Sequence, residues 1–198
     1  MNNILDYYQE NESMMHQQIY PATQRQYECE HFLYQTLSKE ILLEAQRITY
    51  EVSQISEYRL DIKDQINKIA LETFTPRNST VQAHIYGSVA TGLALPESDM
   101  DIVITGVGSE SDQIIHKNNL KILYENIKQK FNKKILCHDQ LIAATSVPII
   151  KLKFDLINYY QEVTKDDPSR LPLVDFQNLD RNLKELAVDI SLTENENG

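Results

Sequence analysis

Basic residues are scarce in this chain: 19 lysines and arginines stand against 29 aspartates and glutamates, for a net charge of −10. Bulk attraction to a polyanion is therefore absent, and any nucleic-acid contact has to come from a local patch or from a partner protein. Cysteine is scarcer still. Cys29 and Cys137 are the only two, without metal-ligand spacing, so buried free thiols are expected in place of a disulfide, in keeping with a reducing intracellular setting. No uninterrupted apolar run approaches the roughly 20 residues of a membrane-spanning helix, and no membrane partner is expected. The first fifteen residues are polar and acidic and lack the basic-then-apolar order of a signal peptide. Low-complexity repeats and Gly/Pro-rich linkers are missing too. Neither a Ser/His/Asp constellation nor a Walker-type Gly-rich lysine loop occurs.

What remains is a chain with a core to build: 41% of its 198 residues are hydrophobic, enough for one domain with an attached element or two small domains. Residues 1–32 carry Gln, Asn, Glu and Tyr without a clear period and are expected to form a polar, loosely packed N-terminal arm. From Leu33 the apolar residues Leu37, Ile41, Ala45, Ile48 and Val52 recur three or four apart, one buried face of a helix. Leu60, Ile62, Ile66, Ile69 and Phe74 predict a second helix, stopped at Thr75-Pro76. Strands are expected over Val81–Tyr86 and Met100–Thr105, the latter ended by Gly106, with Ser109 or Ser111 capping a third helix through Leu120, Leu123, Ile127 and Phe131. A strand-rich half follows: Lys134–Leu136, Leu141–Ala143, Val147–Phe154, a long loop around Pro168 and Pro172, and a last strand Leu186–Leu192. Within that half, Leu186, Val188, Ile190 and Leu192 share one face, leaving Asp189 between small residues on the other.

The chemistry gathers at two places. Tyr86-Gly87-Ser88 closes a strand with a small turn, and Asp99-Met100-Asp101-Ile102 opens the next. Side chains alternate along a strand, so Asp99 and Asp101 leave on one face, near enough to share a metal ion, while Met100, Ile102 and Ile104 face a core. Asp189, isolated on its own strand, is the candidate third ligand. Mg²⁺ prefers hard oxygen donors, and two such ions about 3.5–4 Å apart can stabilise both the attacking and leaving oxygens of an in-line displacement. Gly87 lets a polyphosphate approach the backbone, and Ser88 adds a hydroxyl. Lys117, Lys121, Lys128, Lys130, Lys133 and Lys134 form the one basic cluster, either a solvated helix face or a guide for RNA.

Tyr86-Gly87-Ser88, a spacer and Asp99-Met100-Asp101-Ile102 together resemble the signature of the DNA polymerase β-like nucleotidyltransferase superfamily. The longer run Gly87-Ser88-Val89-Ala90-Thr91-Gly92-Leu93-Ala94-Leu95-Pro96-Glu97-Ser98-Asp99 narrows the likeness to the noncanonical poly(A) polymerases and terminal uridylyltransferases, also called DNA polymerase sigma-like. Leu37-Ser38-Lys39-Glu40-Ile41, Ala144-Thr145-Ser146-Val147-Pro148-Ile149-Ile150-Lys151 and Val188-Asp189-Ile190-Ser191 agree with it in order, so residues 33–198 are read as a palm with leading helices.

The resemblance implies an α/β (α+β) fold: a mixed, mostly antiparallel sheet backed by helices, with an N-terminal helical extension. It implies template-independent addition of nucleotides, adenylates before uridylates, to an RNA 3′ end, with ATP or UTP as the NTP and two Mg²⁺ or Mn²⁺ ions. Asp99, Asp101 and Asp189 would be catalytic metal ligands, and Gly87, Ser88 and Ser98 would bind the nucleotide; Thr91 and Gly92 shape the turn. An RNA-binding partner protein and an intracellular setting, nucleus before cytoplasm, are further expectations. Family members continue past the third acid into a helical central domain that selects the base, and the resemblance places that domain outside residues 33–198, so that a truncated palm is among the expectations. Two other classes fit the same residues: a superfamily enzyme acting on a small molecule or a protein, and an inactive palm serving as an interaction module.

Overall fold

The computed structural model describes residues 3–74, 80–107 and 112–194, with side chains described for Tyr27 and from Cys29 onward. The chain forms two compact units, residues 1–47 and 48–198. Helix α1 runs over Asn3–Ser53, so the expected loose arm is helical from Asn3. Its apolar stripe does not form a core face: Leu33, Leu37 and Ile41 are exposed, and only Ile48 and Val52 are half-buried. The reason is local. Among the described residues the first unit holds nothing but this helix, so the stripe has no second element to pack against.

The second unit is a two-layer structure. Helix α2 (Ser56–Phe74) leads to β1 (Gln82–Tyr86), the single helical turn α3 (Gly87–Ala90) and β2 (Met100–Thr105). Helix α4 (Gln113–Lys130), β3 (Leu136–Ile142), β4 (Ile149–Asp155), α5 (Leu156–Val163), a 3₁₀ turn at Arg181–Leu183 and β5 (Glu185–Leu192) complete it. The sheet order is β1-β2-β5-β4-β3. All neighbours are antiparallel except β2 and β5, which run parallel. This is the mixed, mostly antiparallel sheet that the resemblance implies.

Alternation decides which face of the sheet is buried. Met100, Ile102 and Ile104 of β2, Ile150, Leu152 and Phe154 of β4, and Leu186, Val188 and Ile190 of β5 are all buried. They meet Ile62, Ile66 and Ile69 of α2 and Leu120, Leu123 and Ile127 of α4, also buried. Each such side chain contributes about 1.5–3 kcal/mol by leaving water. The intervening residues of the same strands face the other way, onto a polar and uncovered face.

Several local expectations are corrected. The expected pieces Lys134–Leu136 and Leu141–Ala143 overlap the two ends of one edge strand, β3 (Leu136–Ile142), paired to β4 with a register shift between Leu136 and His138. Asp112 caps α4, accepting hydrogen bonds from the backbone N–H of Ile114 (2.8 Å) and Ile115 (3.2 Å). The alternatives Ser109 and Ser111 lie outside the described residues. Helix α5 is an addition to the expected elements; Asp155 caps it, accepting from Asn158 N–H at 2.8 Å. Cys29 and Cys137 are free as expected, yet exposed, not buried. No helix among the described residues is long and apolar enough to cross a membrane.

The loop after α5 is tied to α2 by one carboxylate. Arg170 donates to Asp61 through Nε (3.0 Å) and Nη2 (2.9 Å), and the Tyr159 hydroxyl donates to the other Asp61 oxygen. Burial, then that bond to Asp61, raises the Tyr159 phenol far above its ordinary pKa, so it stays a donor. Asp61→Ala strands a buried hydroxyl and a guanidinium and should cost about 2 kcal/mol. A urea midpoint unchanged from the parent chain would contradict that assignment.

Candidate active site

The parallel pair β2/β5 builds the centre of the open face. Its register sets Met100 beside Val188, Asp101 beside Asp189 and Ile102 beside Ile190. Neighbouring strands lie about 4.8 Å apart, so two carboxylates at one register position on one face are adjacent. On the far side of β5, Lys151 of β4 is the partner of Asp189. Its Nζ donates to Asp189 Oδ2 at 2.5 Å, with the Asp189 side chain 18% exposed. On the other side of β2, Tyr86 of β1 pairs with Asp101 and hands the chain to α3.

Charge reflects the convergence. Burial first, then the negative charges of Asp189 and Asp99, raise Asp101 above its ordinary value, while Lys151 pulls it back. Lys151 in turn is raised, first by its bond to Asp189 and, more weakly, by the charges of Asp99 and Asp101. Asp99 is exposed at the entry to β2 and lines a hollow of about 450 Å³ together with Lys151, Ala187 and Asp189. A second hollow, about 630 Å³, adjoins the same residue and is lined by Ser98, Asp99, Lys153, Arg181 and Lys184.

The turn carrying Gly87 is shaped around this centre. Gly87 has φ +69°, and a Cβ there would come within 2.5 Å of Asp101 Oδ2. The glycine is thus needed twice, for a left-handed backbone and for the close passage of that carboxylate. The Thr91 hydroxyl donates to the carbonyls of Gly87 (3.1 Å) and Ser88 (3.2 Å), which matches its assignment as a turn-shaping residue. Gly92, at φ +73°, has open space around it. Ser98 Oγ accepts from Leu95 N–H at 2.9 Å, so it closes the loop before Asp99 and keeps its own O–H to donate.

All six residues singled out in the sequence therefore lie on or beside β2, β5 and α3. Four cations at the two hollows, Lys151, Lys153, Arg181 and Lys184, were not singled out. Alternation alone would have put Lys151 and Lys153 on the open face, but their neighbours depend on register. The lysine cluster Lys117, Lys121, Lys128, Lys130, Lys133 and Lys134 belongs to α4 and the turn after it. Helix α4 packs on the core face of the sheet, opposite the acids, and Lys128 is paired with Asp139 at 3.3 Å.

Residues 37–197 match the family model described as poly(A) RNA polymerase, mitochondrial-like, central palm domain. The chain belongs to that family. The palm is similar to Poly(A) RNA polymerase protein 2 of Saccharomyces cerevisiae, strain ATCC 204508 / S288c, at 30% identity over 112 residues. That match takes in 52% of this chain and 18% of the yeast protein. Among solved structures it is similar to Cid1, an RNA terminal uridylyl transferase, at 18% identity and a TM-score of 0.42, over 75% of this chain and 35% of that one. The GLD-2/RNP-8 complex gives 16% identity and a TM-score of 0.40, over 68% of this chain and 41% of the other. The palm thus spans well under half the length of each of these relatives.

Among the described residues no three His, Cys, Asp or Glu side chains already close on a common point. The donor set nevertheless suits a divalent cation. It offers hard carboxylate oxygens, Asp101 beside Asp189 in register and Asp99 at the entry to β2, whose mutual repulsion a cation relieves. Lys151 now supplies part of that relief.

Proposed function

We propose that this palm adds nucleotides to an RNA 3′ end, taking ATP before UTP and releasing pyrophosphate. The observation that carries the reading is the register of Asp101 beside Asp189 on an uncovered sheet face, one turn from Gly87. In this reading Asp99 and Asp101 hold Mg²⁺ or Mn²⁺, and Asp189 is the third carboxylate ligand. The ions supply charge neutralisation at the attacking and leaving oxygens of the transferred phosphate. Asp189 also faces the attacking 3′-hydroxyl, whose proton it can take once Lys151 has released its oxygen. The backbone N–H groups at Gly87 and Ser88, the Ser88 hydroxyl and the Ser98 hydroxyl donate to the NTP phosphates. Lys153, Arg181 and Lys184, around the adjoining hollow, offset the polyphosphate charge locally in a chain that is acidic overall.

Extension of a labelled oligoadenylate with each NTP in turn, in Mg²⁺ and in Mn²⁺, tests this. Ladders with ATP support the reading. Labelled AMP appearing on protein with no RNA extension would replace it with protein nucleotidylation, and NTP binding without turnover would make the palm an interaction module.

Lys151 provides a further check. Its ammonium competes with a cation for Asp189, and the pair is partly solvated, which limits its strength to about 1 kcal/mol. Lys151→Met should therefore raise Mn²⁺ affinity about fivefold, read by electron paramagnetic resonance of free Mn²⁺. Weaker Mn²⁺ binding would mean that Lys151 positions the carboxylate instead of competing for it.

A further inference from the structure

Away from the acids, the second unit has a cavity of about 500 Å³ between the end of α1, the start of α2 and the back of α3. Its walls are chiefly apolar, from Val52, Leu60, Ile85, Val89 and Ala94. One charged group lines it, Arg59, whose residue is only 4% exposed. Its Nε and Nη2 are fully buried and make no hydrogen bond, and no carboxylate among the described residues pairs with it. Burial alone lowers its pKa, with no opposing charge to restore it.

Such a group is out of place in a finished core. A guanidinium stays protonated under all ordinary conditions, so it cannot escape burial by losing its proton. Leaving it unpaired in an apolar setting costs several kcal/mol. The hydroxyls nearby do not serve it: Ser53 donates to Tyr50 O at 2.6 Å and Ser56 to Ser53 O at 2.8 Å.

We propose that this cavity docks a polypeptide segment carrying one carboxylate among aliphatic side chains, with the carboxylate pairing with the Arg59 guanidinium. Charge complementarity selects the occupant. A bare carboxylate would leave the aliphatic walls of a 500 Å³ cavity wet. A nucleic-acid backbone brings a row of phosphates and wants several cations, where this cavity has one. An aliphatic segment with a single Asp or Glu fills the walls and offsets the guanidinium charge. Because Val89 and Ala90 of α3 form part of the wall, the docked segment abuts the turn that carries Gly87 and Ser88.

The test uses the full 198-residue chain and reads the Arg59 Nε–Hε resonance by NMR. The probes are acetyl-Leu-Ile-Asp-Leu-Ile-amide, its Asn twin, and isovalerate. The Asp peptide should shift the resonance saturably, with the Asn twin about 30-fold weaker or more and isovalerate weaker still. Arg59→Met should abolish binding of the Asp peptide, and both Arg59→Met and Arg59→Gln should melt no lower than the parent, since each removes an uncompensated buried charge. A peptide without effect, equal affinity for the Asn twin, or isovalerate binding as tightly as the peptide would each overturn the proposal. So would a large loss of stability in both variants, which would show that Arg59 is paired within the chain. None of these outcomes depends on nucleotide transfer.

Discussion

Asp101→Asn should reduce RNA extension on the order of 10³-fold or more and should do so while making the cation-free chain more stable. The two effects share one cause. Asp101 stands beside Asp189 in the parallel register, within reach of the Asp99 charge, and its own ionised form is disfavoured by burial and by both neighbours. An amide of the same shape removes that repulsion, so in chelator the variant should melt above the parent. It also removes the negative charge of the central ligand and one of its two oxygens, so Mn²⁺ affinity and transfer fall together, as expected where a group acts on the developing charge of the transition state. The experiment pairs a melting curve in EDTA with an extension assay and Mn²⁺ titration. A variant that melts lower in EDTA and still binds Mn²⁺ normally would show that Asp101 is a packing residue, and the site assignment would fail with it.

The second large effect is expected at Gly87. Gly87→Ala and Gly92→Ala make a matched pair, since both glycines sit in the left-handed region, at φ +69° and +73°. Each substitution carries backbone strain of about 1–2 kcal/mol. Their surroundings differ. A methyl at Gly92 meets nothing within 4 Å, whereas at Gly87 it meets Asp101 Oδ2 at 2.5 Å. Either the carboxylate or the turn has to move by about an ångström, and misplacement on that scale costs transfer about 10²-fold. Gly92→Ala should therefore lose stability and keep most of its specific activity, while Gly87→Ala loses both. Equal activities in the two variants, measured on folded protein, would mean that the contact between Gly87 and Asp101 has no part in the reaction.

How far the chain could be read without its structure differs from element to element. Strands β2 and β5 were legible because both alternate without interruption, and an aliphatic row opposite a carboxylate marks a strand with one face in the core and one outside it. The paired acids and the Gly87 turn were legible for the same reason: they lie within fifteen or so residues of each other, and local backbone geometry alone sets their relation. Strand β3 was split in two because its middle, Cys137-His138-Asp139-Gln140, is polar, as an edge strand with one uncovered face is free to be. Helix α5 escaped notice because only Leu156 and Tyr159 of its eight residues are buried, too few to mark a period. In α1 the period was clear and its reading wrong, since periodicity says where an apolar face lies and nothing about whether a partner covers it.

By itself, then, the sequence determined that Asp101 and Asp189 lie on strands, Asp99 at the entry to one and Gly87 at a turn, because alternation and turn chemistry are properties of short stretches; the palm followed from the resemblance that those motifs carry. Only the tertiary structure decided that Asp101 and Asp189 share a register position, that Lys151 is bonded to one of them, and that Nε and Nη2 of Arg59 are buried without a hydrogen-bond partner among the described residues. Each of those depends on contacts between segments far apart in the chain. Such contacts are set by how sheets pair and layers pack, and no local pattern of residues encodes them.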